Sequence, residues 1–345
     1  MRIYQALRVI PTNLHVIVTI ISFIAVSSRF IISGDVYGLN FNLFQPDGGN
    51  YQYFTEDILN LKISNSGIYS WSRPLYPILS LPFYFMLGKY GMLVIPSLSL
   101  LLIGFLFLYV SAYKKDKFIL LLCFLILTSS GTFLRWTIAN LTDSLHLLIF
   151  TLCCVALLRN WSFKNLILIT LVGALVRPMG PIWAALFLAH MIQSKGKAKK
   201  EFTILTLLSL ILFFVNTFVM AFFGGFSPNE KSLTSQITEL PINFAKLLVV
   251  EFGQLAVLDR LLFYFVVFTL ILAVINFKNQ WSLVHIFVTF GCFIISAWIG
   301  VYGVNFRYQL PMTITGSILI LLNFGTYSNK KSRNSVRKFL TRNSN

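Results

Sequence analysis

Apolar stretches of about 20 residues alternate with short polar connections along most of the chain. A helix of that length crosses the hydrocarbon core of a bilayer, so the pattern predicts an all-α, polytopic transmembrane bundle. We predict about ten crossings, at approximately 14–33, 91–113, 117–134, 142–159, 163–178, 180–193, 202–222, 260–277, 281–301 and 307–324. Composition agrees, because 57% of the residues are hydrophobic and only 11% are charged.

A shorter apolar segment, 74–88, carries Pro74, Pro77 and Pro82. Proline removes a backbone donor and disfavours a regular helix interior. We therefore predict that this segment is an interfacial or re-entrant helix and does not cross the membrane.

Charge gives the orientation of these spans. The net charge is +17, and cytoplasmic loops of membrane proteins collect Lys and Arg. If 74–88 does not cross, the basic clusters all face the cytoplasm. We predict an uncleaved first membrane helix, cytoplasmic termini, a transmembrane domain over 1–328 and a basic cytoplasmic tail over 329–345. Loops that face anionic lipid explain the charge better than a nucleic-acid partner does.

The acidic residues follow the opposite pattern. Of the 11 acidic residues, all except Asp116 and Glu201 fall on the non-cytoplasmic side of this topology. Two long loops, about 34–73 and 223–259, face the same side and mix aromatic with polar residues. Binding and catalytic residues concentrate on such loops, so this face is the predicted working surface.

The first long loop presents one acidic candidate. Pro46 and two glycines form a tight turn around Asp47, and Tyr51 follows one helical turn later if a helix begins here. Asp47 is then either a general base or only the N-cap of a helix over 50–60, and the residues alone leave both open. Glu56 and Asp57 on that helix are predicted to face solvent.

Two further stretches combine charged and aromatic residues at span boundaries. Arg73 lies between Trp71 and Tyr76, as either an interfacial anchor or a phosphate contact. Asp143 opens a span, as either a helix cap or a second acid lining an outward cavity. Arg135 precedes it, and either pairs with Asp143 or holds a phosphate.

Two more arginines occupy span boundaries on the predicted outer side. Arg177 lies in an Arg-Pro turn, and Arg307 opens the last span. Arg177 either binds an anionic phosphate or pairs with a lipid headgroup or with Asp143. Together the arginines predict a positive ring at the outer interface, to which Lys246 and Arg260 add.

The remaining reactive residue types carry little signal. The cysteines lie in apolar runs without disulfide or zinc spacing, and are predicted to be buried apolar side chains: Cys123, Cys153, Cys154 and Cys292. The isolated histidines are predicted to pack between helices: His15, His146, His190 and His285. No nucleotide-binding glycine pattern occurs. No cofactor is predicted, and a divalent metal has no supporting ligand spacing.

In their order and common sidedness, these motifs resemble the GT-C superfamily of integral-membrane glycosyltransferases. Asp47 with Tyr51 stands in the first outward loop, Pro-Leu-Tyr-Pro follows at 74–77, and Arg-Tyr-x-x-Pro begins the last span at 307–311. Each motif is short. We expect no soluble C-terminal domain of the kind that the larger members carry, and the first loop has a single Asp where others have an adjacent acidic pair.

The resemblance implies an outward-facing site that moves a sugar from a polyprenyl-phosphate donor to a glycan or lipid-linked acceptor. Asp47 would be the general base, and Asp143 would orient the acceptor or substitute as base. Arg177 and Arg307 would hold the donor phosphate, with Arg73 and Arg135 as further contacts. Tyr51 and Tyr308 would touch the substrates. The expected location is a bacterial inner membrane.

Two other functions fit parts of this pattern. A polysaccharide polymerase that joins lipid-linked repeat units would share the outward loops, the arginines and the polyprenyl substrate. The Pro-Leu-Tyr-Pro segment favours the transferase. A transporter or flippase for an anionic lipid or solute should show repeat symmetry and ionisable groups near the bilayer midplane, whereas the charges here gather at the outer interface.

Overall fold

The computed structural model describes residues 46–61, 73–114, 117–222, 238–243 and 259–299, together with 308–324, two short strands and a few single residues between 246 and 257. Its architecture is all-α apart from an antiparallel pair of strands, β1 (Asp35–Val36) and β2 (Leu39–Asn40), in which Asp35 lies opposite Asn40. The helices are α1 Pro46–Leu59, α2 Leu75–Leu87, a 3-10 helix Gly88–Leu93, α3 Val94–Lys114, α4 Lys117–Ser129, α5 Gly131–Ile138, α6 Asp143–Leu158, α7 Phe163–Val176, α8 Gly180–Gln193, α9 Gly196–Phe222, α10 Arg260–Ile275, α11 Gln280–Ile299 and α12 Leu310–Phe324.

Most predicted spans coincide with a helix to within a few residues. One difference is that the predicted span 117–134 is divided into two helices, α4 and α5, with an 84° bend at Ser130. Ser130 caps α5 by accepting a hydrogen bond from Phe133 N. A second difference is that α9 begins at Gly196 and takes in the Lys-rich segment that we assigned to a loop. The predicted first span, 14–33, lies outside the described residues.

The count of about ten crossings is not reproduced by helix length. Within the described residues, three helical stretches are long and apolar enough to cross a membrane, or four if the bent α4–α5 pair forms one span. Five other apolar helices have 14 to 16 residues. At 1.5 Å per residue they extend about 21–24 Å, less than the roughly 30 Å of a hydrocarbon core.

Large apolar side chains cover the outside of the bundle. In the Gly196–Phe218 stretch of α9, 17% of the most apolar window is buried. Its exposed residues recur every three or four positions and form one face: Ile204, Leu207, Ile211, Phe214, Val215 and Phe218. Soluble monomers rarely expose apolar areas of this extent. This surface is the kind that contacts lipid, in agreement with a membrane protein.

The Pro-rich segment folds back on itself. Tyr76 Oη donates to the carbonyl of Met92 at 2.7 Å, across 16 residues that a straight helix would separate by about 24 Å. The reversal occurs at Gly88, whose φ of +57° suits glycine. Gly91 then packs against the backbone of Phe83, where a Cβ would overlap the carbonyl. Residues 75–93 thus form a hairpin that brings Met92 beside the first turn of α2, and whether 74–88 crosses the membrane stays a prediction.

The centre of the bundle is formed by α8 and α12. Helix α8 packs closely on α9 and α11, and glycines at the crossings allow this approach. A Cβ at Gly180 would overlap Phe213, and one at Gly291 would lie 2.8 Å from the carbonyl of Pro181. Helix α12 is buried almost throughout and contacts α4, α6, α10 and α11. The ends of α6, α8 and α12 are therefore held in a fixed arrangement.

The described histidines and the cysteines have the packing roles that the sequence predicted. Each histidine bonds a side chain from another helix: His146 Nε2 accepts from Trp183 Nε1 at 3.0 Å, His190 Nδ1 lies 2.7 Å from Gln280 Nε2, and His285 Nδ1 lies 2.8 Å from Thr315 Oγ1. All four cysteines are buried thiols. These groups link helices within the bundle.

Candidate functional site

Two of the predicted charged residues meet where α6 begins and α7 ends. These helices are joined by residues 159–162 and pack side by side, so the first residue of α6 lies beside the residue after α7. Arg177 Nη1 forms an ion pair there with Asp143 Oδ1. Both side chains are buried, with exposed fractions of 2% and 1%. The sequence had left Arg177 with three possible partners, and the structure selects Asp143.

The backbone favours each charge at its position. Asp143 is in the first turn of α6, where free N–H groups and the helix dipole stabilise an anion. Arg177 is the C-cap of α7, where the dipole stabilises a cation, and its N–H donates to the Gly173 carbonyl at 2.9 Å. Pro178 follows and cannot continue the helix. The turn that the Arg-Pro dipeptide predicted is therefore present.

Tyr308 completes this buried cluster. The Arg177 guanidinium carbon lies 4.7 Å from the centre of the Tyr308 ring, a cation–π contact. Tyr308 lies two residues before the start of α12, so this end of the central helix is next to the ion pair. The adjacent candidate, Arg307, lies outside the described residues. Asp143, Arg177 and Tyr308, which are far apart in the sequence, thus form one group.

Helix α1 docks beside this group through Gly48. A Cβ at Gly48 would overlap the Asn140 side chain, so the helix backbone touches the 139–142 connection that leads into Asp143. The helix begins at Pro46, which places Asp47 in the first turn, and Asp47 is not the N-cap of a helix over 50–60. Tyr51 lies one turn further on, as predicted. Asp47 as general base remains a prediction.

Tyr51 connects α1 to Arg73. Arg73 Nη1 donates to Tyr51 Oη at 3.1 Å, and the Tyr51 ring meets the edge of Tyr76 at 5.4 Å between centroids. Helix α1, which follows the start of the first long loop, therefore meets the Pro-rich hairpin through these side chains.

The predictions for Glu56 and Arg135 need correction. Glu56 was expected to face solvent, but it is only partly exposed, and it accepts hydrogen bonds from Tyr84 Oη and from Gln52 Nε2, the latter at 2.9 Å. Arg135 was placed in a connection, but it lies within α5, where its guanidinium is 5.0 Å from the Trp136 ring. The ion-pair partner that the structure gives Asp143 is Arg177.

Asp259 is an important residue that the sequence analysis missed. Its Oδ2 accepts from Ser130 Oγ at 2.6 Å and from Thr132 N at 2.9 Å, while Oδ1 caps α10 by accepting from Leu262 N at 3.2 Å. One carboxylate thus holds two helix N-termini and fixes the bend before α5. Its place before an apolar span is an N-cap signal, but nothing in the sequence points to Ser130.

We expect Asp259→Ala to lower the free energy of unfolding by about 2–4 kcal/mol, because a helix cap and two further buried hydrogen bonds are lost. Unfolding in mixed detergent micelles measures this change. Glu201→Ala is the control, since its pair with Lys197 spans 3.9 Å and the Lys197 side chain is 90% exposed. Equal losses for the two variants would show that Asp259 does not hold the bend.

Adjacent glycines give a matched test of the α1 contact. Gly48→Ala should lower the free energy of unfolding by about 1–3 kcal/mol through overpacking against Asn140, although alanine is normally the better helix former. Gly49 has no atom of the described residues within 4 Å of an added Cβ, so Gly49→Ala should be neutral or stabilising. The same unfolding assay applies. Two results would contradict the contact between Gly48 and Asn140. One is a wild-type free energy of unfolding for Gly48→Ala, and the other is a double variant, Gly48→Ala/Asn140→Ala, that recovers none of the lost stability.

The buried group lies at the end of the bundle opposite the described basic clusters. Asp143 and Arg159 mark the two ends of α6, and Arg177 and Lys195 flank the two ends of α8. Each helix is about 21–24 Å long. The acidic candidate thus faces away from the residues that the positive-inside rule assigns to the cytoplasm.

Within the described residues, no group of three or more His, Cys, Asp or Glu side chains could hold a metal ion. The polar group of the site consists of a carboxylate, two guanidinium groups, tyrosine hydroxyls and the Asn140 amide. Such groups can bind an anion, orient a hydroxyl and accept a proton. No family model matches the chain, and neither a curated protein nor a solved structure matches it.

Proposed function

We propose that the protein is a membrane glycosyltransferase. It moves a sugar from a polyprenyl-phosphate donor to a hydroxyl of a glycan or lipid-linked acceptor on the non-cytoplasmic face. The observation that carries the proposal is the buried group formed by Asp143, Arg177 and Tyr308, beside the first turn of α1 that contains Asp47.

Several features support this reading over a structural role alone. A buried ion pair is weak evidence for stability, because removing two charges from water offsets most of their attraction. Ionisable groups at membrane depth are therefore functional candidates. Here Asp143 of α6 and Arg177 at the end of α7 are joined by Tyr308, which lies just before α12, so distant segments contribute to one polar group inside an apolar bundle.

The proposed reaction needs one base and one anion site. The acceptor oxygen forms a bond to the anomeric carbon while the bond between that carbon and the donor phosphate oxygen breaks. Asp47 takes the acceptor proton, and the polyprenyl phosphate leaves with the electron pair. Arg177 stabilises the negative charge that develops on the phosphate. Arg73 and Tyr51 form the adjoining wall, and Tyr308 keeps Arg177 in place.

Arg135 and Arg307 keep supporting roles in the proposal. Arg135 lies on α5, which leads into the 139–142 connection, and Arg307 is adjacent to Tyr308 in the sequence. Both would add positive charge near the donor phosphate. The step derived above is written through side chains of this chain alone.

The second candidate is a polymerase that joins lipid-linked repeat units. It shares the anion site and the outward face. The hairpin of the Pro-rich segment, held by Tyr76 to Met92, favours the transferase because it follows the loop that carries Asp47. A flippase is less favoured, since the buried charges lie at helix ends rather than at helix centres.

A comparison of donors separates these functions. Purified protein is given labelled prenyl-phosphate monosaccharides or prenyl-diphosphate oligosaccharides, together with extracted glycolipids. We expect label to reach the acceptor only from the monosaccharide carriers. Transfer only from oligosaccharide carriers would identify a polymerase, and movement of intact donor across vesicles without transfer would identify a flippase.

A further inference from the structure

Arg177 is already paired with the carboxylate of Asp143, and this pairing determines the order in which the two substrates can bind. We infer that the donor phosphate and the Asp143 carboxylate compete for the Arg177 guanidinium, so that phosphate binding releases Asp143 toward the acceptor hydroxyl. The inference rests on the proposed function. It adds a coupling between the two substrates that glycosyl transfer itself does not require.

The first step is that Arg177 needs a counter-charge at all times. Its side chain is 2% exposed, and removing the partner of a buried charge is strongly destabilising because it leaves that charge uncompensated. Water therefore cannot take the place of Asp143 cheaply. An incoming anion can, because it supplies the charge that the carboxylate gives up.

The second step concerns the room around the guanidinium. Tyr308 covers its face at 4.7 Å, so an anion binds along the edge that carries the N–H groups. Asp143 occupies that edge through Nη1. A phosphate monoester or diester presents oxygens in the bidentate geometry that a guanidinium prefers. The two anions thus compete for one guanidinium as their counter-charge.

The third step is that the Asp143 carboxylate remains stabilised after it separates from Arg177. It sits on the first turn of α6, whose N–H groups and dipole continue to stabilise its charge after Arg177 is lost. On either side, the hydroxyls of Thr142 and Ser144 are buried and have no hydrogen-bond partner among the residues described. These hydroxyls can receive the released carboxylate or the acceptor that it orients.

The consequence is a site that stays closed until the donor arrives. While Arg177 holds Asp143 Oδ1, the carboxylate stays buried in the ion pair and away from the acceptor hydroxyl. Donor binding exchanges the partner and opens the acceptor side. The coupling is reciprocal, so an acceptor that engages Asp143 also strengthens phosphate binding.

Binding of farnesyl phosphate to the purified protein tests the competition without a sugar donor. Asp143→Asn keeps the side-chain shape but removes the competing charge, so it should bind farnesyl phosphate about tenfold more tightly than wild type or better, and Arg177→Gln should bind it about tenfold more weakly. Asp57→Asn, the matched removal of a carboxylate on α1, should leave the affinity unchanged. Farnesol controls for the prenyl chain and should bind all variants equally.

Asp143→Asn that binds no more tightly than Asp57→Asn overturns the inference. A second measurement on wild type alone avoids any folding defect: carbodiimide modification of Asp143, mapped by mass spectrometry. Farnesyl phosphate should increase the modification, whereas farnesol should not. Unchanged or reduced modification also overturns the inference. Since neither measurement uses a sugar, sugar transfer without competition would leave the proposed function intact.

Discussion

Asp143→Ala is expected to lower the free energy of unfolding by about 3–5 kcal/mol, because it leaves the buried Arg177 charge without its partner. Arg177→Ala should have a similar effect for the same reason. The double variant Asp143→Ala/Arg177→Ala removes both charges and should lose much less than the sum of the two. Reversible unfolding in mixed micelles, analysed as a double-mutant cycle, gives the coupling energy directly.

An apolar replacement of the pair sharpens this test. Asp143→Leu/Arg177→Met fills the same space without charge, and we expect it to match or exceed the wild-type stability while losing all transfer activity. Additive losses in the alanine cycle would mean that the two side chains do not act as a pair. An active Leu/Met variant would remove the group from the mechanism.

Asp47→Asn is expected to reduce the rate of sugar transfer by about 10²–10⁴-fold, since the amide cannot accept the acceptor proton. The fold should be unaffected, because the amide is close in size to the carboxylate. The measurement is the initial rate with saturating donor, together with the thermal midpoint of each protein.

The matched control for Asp47 is Asp57→Asn, on the same helix and with the same change in charge. It should retain the wild-type rate within a factor of about two. If both variants transfer at the wild-type rate, Asp47 has only a structural role and Asp143 becomes the base to test. If both lose activity equally, the effect reflects the charge of α1 and not a particular proton acceptor.

Helix positions were largely predictable because burial in lipid and in the core both require apolar residues at every turn. The spans that became α6, α7, α8 and α10 were recognised to within a few residues. The bend at Ser130 was not, since an apolar run continues through it and the cause is a contact with Asp259, far away in the sequence. The predicted number of about ten crossings also exceeded the three or four described helical stretches that are long enough to cross a membrane.

The sequence predicted which charged residues belong to the candidate site, but it did not predict which of them pair with each other. An acid opening one span and an arginine closing the next are visible in the sequence, and the short connection between α6 and α7 brings them together. Three partners were open for Arg177, because a pattern along the chain does not say which helix ends meet. Asn140 was not predicted, since its role depends on the missing Cβ of Gly48 on another helix.

The most direct measurement of the proposed function is the ratio of polyprenyl phosphate released to sugar transferred by the purified wild-type protein. A transferase that breaks the bond between the anomeric carbon and the phosphate oxygen releases one polyprenyl phosphate for each sugar that reaches the acceptor. Release of a polyprenyl diphosphate, or transport of the donor with the sugar still attached, would contradict the proposed function.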